Sequence, residues 1–260
     1  MMPSVLVDIL RGMGRVAVAV SGGVDSLTLA TAAHRALGTL AGMYHAASPA
    51  VPAEATARTR ALAASQGWAL EVFDAGEFAD PAYRANPVNR CFFCKTNLYG
   101  AIAERTRHLI LSGTNLDDLG EYRPGLDAAK AHGVRHPFVE AGIDKAAIRR
   151  LALQLGLGRL AELPAAPCLS SRVETGIRIE APTLAMVHAA ETLVASRLSP
   201  ATVRCRVRAG GVVIELDPAS LAALEQGAAG GLRAELAGLA GSPVSFARYR
   251  TGSAFLHGGA

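Results

Sequence analysis

The stretch that most constrains this chain is Val16-Ala17-Val18-Ala19-Val20, followed at once by Ser21-Gly22-Gly23-Val24-Asp25-Ser26 and then by a helix-like segment ending at Gly38. A short unbroken apolar run bounded by glycines reads as a strand buried on both faces, the kind found in parallel sheets covered by helices. Adjacent glycines let the backbone approach a ligand closely, and the unpaired amides of a helix start point toward negative charge. Strand, glycine-rich turn and helix N-terminus in that order form an anion site, and the anion expected is phosphate.

Ser21 and Ser26 can add hydroxyl donors to such a site. Asp25 would repel bare phosphate, so it is expected as a magnesium ligand or as a helix-start residue. The loop lacks the Gly-Lys-Ser/Thr of the kinase-type P-loop, in which a lysine reaches the outer phosphates. Its spelling, Ser-Gly-Gly-x-Asp-Ser, resembles the PP-loop of ATP pyrophosphatases, which attack the α-phosphate of ATP and release pyrophosphate.

Strand-like and helical patterns alternate behind this loop. Ser26 to Leu37 reads as a helix, Ala41 to Ala46 as a strand, Pro52 to Gln66 as a helix closed by Gly67, and Leu70 to Phe73 as a strand. A helix around Thr96 to Arg105 and a strand at His108 to Ser112 follow. Asp144 is expected to cap a helix that carries Ile148, Leu151, Ala152 and Leu155 on one face and stops at Gly156. The fold class is therefore α/β, a parallel sheet with helices on both faces, and its ligand is expected at the C-terminal strand ends. Pro164 and Pro167 bracket a linker-like segment, and beyond Gly176 the pattern becomes helix, strand, strand, helix, strand. The expected division is 1–172 for the nucleotide-binding domain and 173–260 for a small α+β domain, which 260 residues can accommodate.

No apolar run reaches the ~18 uncharged residues of a membrane helix, and the N-terminus lacks a secretory pattern, so a soluble cytoplasmic protein is expected. The net charge of +4 does not by itself call for nucleic acid. Of the 26 basic residues only Lys95, Lys130 and Lys145 are lysines.

Cys91-Phe92-Phe93-Cys94, followed by Lys95, is the second signal. Two thiolates at this spacing can chelate one metal centre, because a short turn brings both sulfurs to the same side. Cys168, in Pro167-Cys168-Leu169-Ser170-Ser171-Arg172, is the obvious third ligand. Three thiolates can hold a four-iron cluster with one iron open, and the competing readings are a structural zinc site or unconnected thiols. By itself Cys168 reads either as an accessible nucleophile beside Arg172 or as a thiol buried in a linker.

Gly113-Thr114-Asn115-Leu116-Asp117-Asp118 follows the apolar run Leu109-Ile110-Leu111, which places polar groups at another C-terminal strand end. Gly113 and Thr114 suit ribose or phosphate contacts. Asp117 and Asp118 suit either magnesium positioning or capping of the next segment. Arg123-Pro124-Gly125 and Lys145 are compatible with anion contacts or with plain solvation. Farther on, Val203, Cys205 and Val207 fall on one strand face, with Arg204, Arg206 and Arg208 on the other, before Gly210-Gly211 turns the chain into Val212 to Leu216. Cys205 is expected as a buried core thiol. The arginine face is either solvated or binds anionic groups through bidentate hydrogen bonds.

Taken together, Ser21 to Ser26, Asn89 to Lys95, Gly113 to Asp118, Tyr122-Arg123-Pro124-Gly125, Pro167 to Arg172 and Tyr249-Arg250-Thr251-Gly252-Ser253 resemble the LarE family, the ATP-dependent sulfur transferases of nickel-pincer cofactor synthesis. The resemblance spans nearly the whole chain and implies a PP-loop, adenine nucleotide α-hydrolase-like fold. It implies use of ATP and Mg2+ to adenylate a carboxylate of pyridinium-3,5-biscarboxylic acid mononucleotide, release of pyrophosphate, and replacement of oxygen by sulfur, repeated on the second carboxylate. Ser21, Gly22, Gly23, Asp25, Ser26, Gly113 and Thr114 then match nucleotide contacts, with Asp25 on magnesium. Cys168, Asp25 and Lys95 form the catalytic set.

By the same match Arg204, Arg206 and Glu215 are substrate contacts, with Ser171 and Arg172 as second choices. Family members with one such cysteine sacrifice its sulfur and are left with dehydroalanine. Members with three, as Cys91, Cys94 and Cys168 suggest here, hold a 4Fe-4S cluster that carries an extra sulfide from a donor. Homo-oligomerisation is also a family expectation. A tRNA-thiolating PP-loop enzyme is the nearest alternative, but it would call for a broad basic surface or an added RNA-binding domain. An ammonia-using synthetase leaves the cysteines without a role, and a noncatalytic nucleotide or cluster carrier would bind ATP without forming AMP and pyrophosphate.

Overall fold

Ser4–Met13 forms helix α1, and the apolar run behind it forms β1 (Val16–Ala19), buried at every position. The computed structural model describes residues 2–120, 123–164, 167–227 and 231–254. The chain then runs through α2 (Val24–Leu37), β2 (Ala41–Ala46), α3 (Ala53–Gln66) and β3 (Ala69–Phe73). After α4 (Pro81–Arg84) come α5 (Arg90–Arg105), β4 (Leu109–Leu111), α6 (Pro124–Ala131), α7 (Pro137–Glu140) and α8 (Lys145–Gln154). Two compact units result: Met1–Asp80 with Asn89–Ala166, and Pro81–Val88 with Pro167–Ala260.

The first unit is a four-stranded sheet of order β3-β2-β1-β4, with every pair parallel. Alternation along β1 sorts its side chains between two cores. Val16 and Val18 pack with Leu6 and Leu10 of α1, Leu27 and Leu29 of α2, Leu62 of α3, Phe138 of α7 and Ile148 and Leu151 of α8. Ala17 and Ala19 face the other way, toward Phe73, Tyr99 and Ile102 of α5, and Ala129 of α6. Helices thus cover both faces, as the buried apolar run requires. Asp144 does cap α8, accepting the Ala147 N–H at 2.7 Å, and Gly156 follows in a left-handed conformation at φ 76°.

One expectation is corrected here. The helix placed at Thr96 to Arg105 begins at Arg90, so Cys91 and Cys94 stand on the first two turns of α5 rather than on a short turn before it. Their spacing still brings them to one side, because residues i and i+3 share a helix face. The low helix propensity of Cys and Phe hid the start.

The second unit contains α9 (Ala181–Leu198), β5 (Val203–Arg208), β6 (Gly211–Leu216), α10 (Pro218–Glu225), α11 (Leu232–Ala240) and β7 (Val244–Arg248). Its sheet has the order β5-β6-β7, with β5 antiparallel and β7 parallel to β6. The single helix expected between the last two strands is two helices, since Gly227 at φ 86° stops α10. Cys205 is fully buried, and burial pushes its thiol pKa up to about 12, so it packs as a small apolar side chain. Among the described residues no helix is long and apolar enough to cross a membrane.

Candidate active site

The glycine-rich turn lies between the C-terminal end of β1 and the first turn of α2. Gly23 is the N-cap and offers no side-chain cap, and the first bond into the helix runs from the Leu27 N–H to the Gly23 carbonyl at 3.0 Å. The amides of Val24, Asp25 and Ser26 therefore lie at the open helix end, where an anion is favoured. Gly22 is required twice over: its φ is 81°, and a Cβ there would sit 2.7 Å from the Ala55 carbonyl oxygen of α3. The two serines brace the turn. Ser26 Oγ donates to the Gly23 carbonyl at 3.1 Å and accepts from the Ser21 N–H at 3.0 Å, and the two hydroxyl oxygens are 3.0 Å apart.

Asp25, on the first turn of α2, meets a partner 120 residues away. Lys145 Nζ donates to both of its carboxylate oxygens at 2.5 Å. Burial raises the Asp25 pKa from its ordinary value, and the bond to Lys145 opposes that shift. Lys145 is itself held, because its backbone N–H donates to Asp117 Oδ2 at 2.9 Å. Asp118 accepts from the Asn115 N–H at 3.0 Å and pairs with Arg123 at 2.9 Å. Both acids thus anchor the segment that follows β4, and Tyr122 lies outside the described residues.

Gly113 closes the other side of the turn. A Cβ at this position would lie 2.9 Å from the Asp25 carbonyl carbon and the Ser26 nitrogen, both backbone atoms that cannot yield cheaply. Gly113→Ala is expected to lower stability by about 1–3 kcal/mol through overpacking, and a urea melt of the variant checks this. Next to Gly113, Ser112 Oγ is 3.0 Å from Thr114 Oγ1 and 2.8 Å from His136 Nδ1, and burial lowers the His136 pKa. His136 carries no motif signal and becomes part of this strand end only through the fold.

Cys91 and Cys94 are half-buried on α5. Lys95 follows, its ammonium 5.9 Å from the Tyr99 ring centroid, and a Cβ on Gly125 would be 3.1 Å from its Cγ.

In the second unit Cys168 is half-buried and leads into a buried 3-10 turn, Leu169–Arg172. From Leu169 onward the segment is packed, while residues 165 and 166 of the linker expected between Pro164 and Pro167 lie outside the described residues. Arg172 Nη1 donates to the carbonyls of Pro167 at 2.5 Å and Cys168 at 3.1 Å. Its Nε and Nη2 grip Glu191 at 2.9 and 3.0 Å, and Glu191 also accepts the Cys205 N–H. Tyr83 of α4 adds a 2.6 Å hydroxyl contact to Ser170.

At its centre the arginine face of β5 is buried, with Arg204 and Arg208 on either side half-buried. Arg206 and Glu215 are 4% and 2% exposed and pair at 2.9 Å. Arg208 at 2.7 Å and the Ser253 hydroxyl at 2.7 Å complete the ring around Glu215. Burial raises the Glu215 pKa, but the Ser253 and Arg206 hydrogen bonds outweigh it and hold the carboxyl below its ordinary value. Arg206 Nη1 also donates to the Ser171 carbonyl at 3.0 Å. Arg204 has its guanidinium 5.8 Å from the Tyr249 ring centroid, and burial lowers its pKa.

The donor chemistry of three thiolates suits iron–sulfur or zinc binding. Among the described residues, however, no group of three or more His, Cys, Asp or Glu side chains is placed to hold a metal ion. Cys91 and Cys94 belong to the first unit and Cys168 to the second. The nucleotide groups fit better: an open helix end, a close glycine approach and a lysine-paired carboxylate converge at one turn.

A parallel sheet flanked by helices, with a glycine-rich turn opening its first crossover helix, defines a PP-loop type of α/β protein. No protein-family model matches the chain. It is 39% identical over 210 residues to an uncharacterized protein of Synechocystis sp., spanning 79% of this chain and 78% of that one. It is 30% identical over 221 residues to the pyridinium-3,5-bisthiocarboxylic acid mononucleotide synthase of Lactiplantibacillus plantarum, 83% of this chain and 79% of that protein. An uncharacterized protein of Methanocaldococcus jannaschii is 29% identical over 136 residues, 51% of this chain and 52% of its own length. The chain belongs to the LarE family, that of the Lactiplantibacillus synthase.

Proposed function

We propose that this protein is an ATP-dependent sulfur transferase of nickel-pincer cofactor synthesis, acting on pyridinium-3,5-biscarboxylic acid mononucleotide. The observation that carries the reading is the phosphate turn with its Asp25–Lys145 pair, in a chain 30% identical to the synthase. A carboxylate oxygen is a poor leaving group; its attack on the α-phosphate of ATP breaks the α–β phosphoanhydride, releases pyrophosphate and gives an acyl-adenylate, from which AMP is a good leaving group. The amides of Val24, Asp25 and Ser26 would hold the phosphates, and Lys145 would neutralise charge as pyrophosphate departs. Asp25 is the residue to hold Mg2+, which supplies charge stabilisation to the phosphates when bound. Gly113 and Thr114 would line the nucleotide on the β4 side.

The sulfur step follows from the cysteines. Cys91, Cys94 and Cys168 are the residues proposed to hold a 4Fe-4S cluster, which would supply sulfide for the transfer, and Lys95 follows Cys94 in the chain. Arg172 fixes the Cys168 backbone through its two carbonyl contacts, so that the thiol is presented from a rigid segment. Arg204 and Arg206 with Glu215, and then Ser171 and Arg172, are the residues proposed to receive the anionic mononucleotide. The first unit would be the activating domain and the second the substrate-binding and oligomer-forming domain of a cytoplasmic homo-oligomer.

The second reading, donation of the Cys168 sulfur itself, keeps the same activation chemistry. Iron and acid-labile sulfide in protein purified without oxygen separate the two. About four iron atoms per chain, with repeated turnover when sulfide is supplied, is the expected result. No iron after anaerobic reconstitution, with one sulfur lost per chain, assigns the donor role to Cys168. In either case Cys168→Ser is expected to keep pyrophosphate release and to abolish thiocarboxylate formation, read by mass spectrometry of the product.

A further inference from the structure

Arg58 stands on α3, outside every motif of the sequence, yet it is built into the phosphate turn. Its Nε donates to the Gly22 carbonyl at 2.9 Å. The first turn of α3 presses on the same residue, with the Ala55 carbonyl against Gly22. Arg58 is half-buried, and loss of solvation lowers its pKa, an effect that Glu54 opposes. Among the described residues its two terminal nitrogens have no hydrogen-bond acceptor. A guanidinium held at Nε keeps a planar pair of donors at a fixed angle, a shape that matches two oxygens of one phosphate. An anion at the open helix end would complete such a half-buried group by taking both terminal donors.

We propose that Arg58 is a binding residue for the pyrophosphate portion of ATP, gripping it from the β2 side of the turn while the α2 amides and Lys145 hold it from the front. This rests on the reading of the first unit as an ATP site. α3 follows β2, whereas Gly113 and Thr114 follow β4, on the opposite side of β1. The phosphate turn is thus flanked on both sides, and the two flanks divide the nucleotide between them: leaving group toward Arg58, AMP toward Gly113 and Thr114. The Nε bond orients the fork and also steadies the Gly22 carbonyl, keeping that oxygen turned away from the anion.

The test is titration calorimetry of the full chain with inorganic pyrophosphate, ATP and AMP, for the native protein and for Arg58→Gln and Arg58→Lys. Arg58→Gln is expected to weaken pyrophosphate and ATP roughly tenfold and to leave AMP within about twofold, with Arg58→Lys recovering only part because it lacks the fork. Unchanged pyrophosphate affinity overturns the proposal. So does an equal loss for AMP and pyrophosphate together with a lowered Tm, which would make Arg58 a brace of the turn only. If Arg58→Gln does not fold, Arg58→Lys gives the same readout. A native protein that binds neither ATP nor pyrophosphate instead removes the nucleotide reading beneath the proposal, so the two failures are told apart by the native control.

Discussion

Asp25→Asn is expected to slow pyrophosphate release by about 10²–10³-fold while the protein melts within a few degrees of the native form. Asparagine has nearly the same shape and can still accept a hydrogen bond from Lys145, so packing on the first turn of α2 survives. What disappears is the charge that fixes Lys145 and that, in the proposed function, would offer an oxygen ligand to Mg2+. The pair is partly exposed, 32% for Lys145 and 28% for Asp25, so its own contribution to stability should be no more than about 1 kcal/mol. Activity and stability should therefore separate. Pyrophosphate release under saturating ATP, measured beside a thermal melt, checks this. Lys145→Gln should show the same separation, and the double variant should lose less than the sum of the two, because the groups act as a unit. Parallel loss of fold and activity would make the pair a structural tie between α2 and α8.

Glu215→Leu is expected to destabilise the protein by about 3–5 kcal/mol, the largest stability effect foreseen for this chain. The change removes the acceptor shared by Arg206, Arg208 and Ser253 and leaves the guanidinium of Arg206, 4% exposed, without its countercharge. Leucine fills similar space, so the loss reports the stranded charge rather than a cavity. Glu215→Gln keeps one oxygen for Arg206 and should lose less. Urea unfolding of the two variants distinguishes them: a loss below about 1 kcal/mol for Glu215→Leu would mean that the arginines relax to water instead. The network also explains why a row of arginines can occupy a strand in a small domain. In the β5–β6 register Arg204 lies opposite Glu215, and Arg206 reaches the same carboxylate along its face.

Much of the first unit was legible because its signals are local. An unbroken apolar run must be buried on both sides, glycine pairs permit a turn that other residues resist, and Asp144 caps its helix through atoms three residues apart. The Cys205 core position followed from strand alternation for the same reason. The start of α5 was not legible, since Cys-Phe-Phe-Cys carries weak helical preference and the surrounding packing decides its conformation. The solvation of the arginine face was left open by periodicity alone, because alternation sorts residues between faces without saying what covers each face.

Lys145 was visible as an isolated basic residue and Arg58 was not visible at all, though both bond to residues of the glycine-rich turn. The amino-acid sequence by itself determined the parallel sheet, the position of the glycine-rich turn and the buried strand faces, because backbone preference and burial periodicity act over a few residues. Only the tertiary structure decided that Lys145 neutralises Asp25, that Arg58 holds Gly22, that residues 81–88 join the second unit and that Glu215 gathers two arginines. Charge pairing is directional in space and indifferent to sequence distance, so it is settled only when distant segments have been packed together.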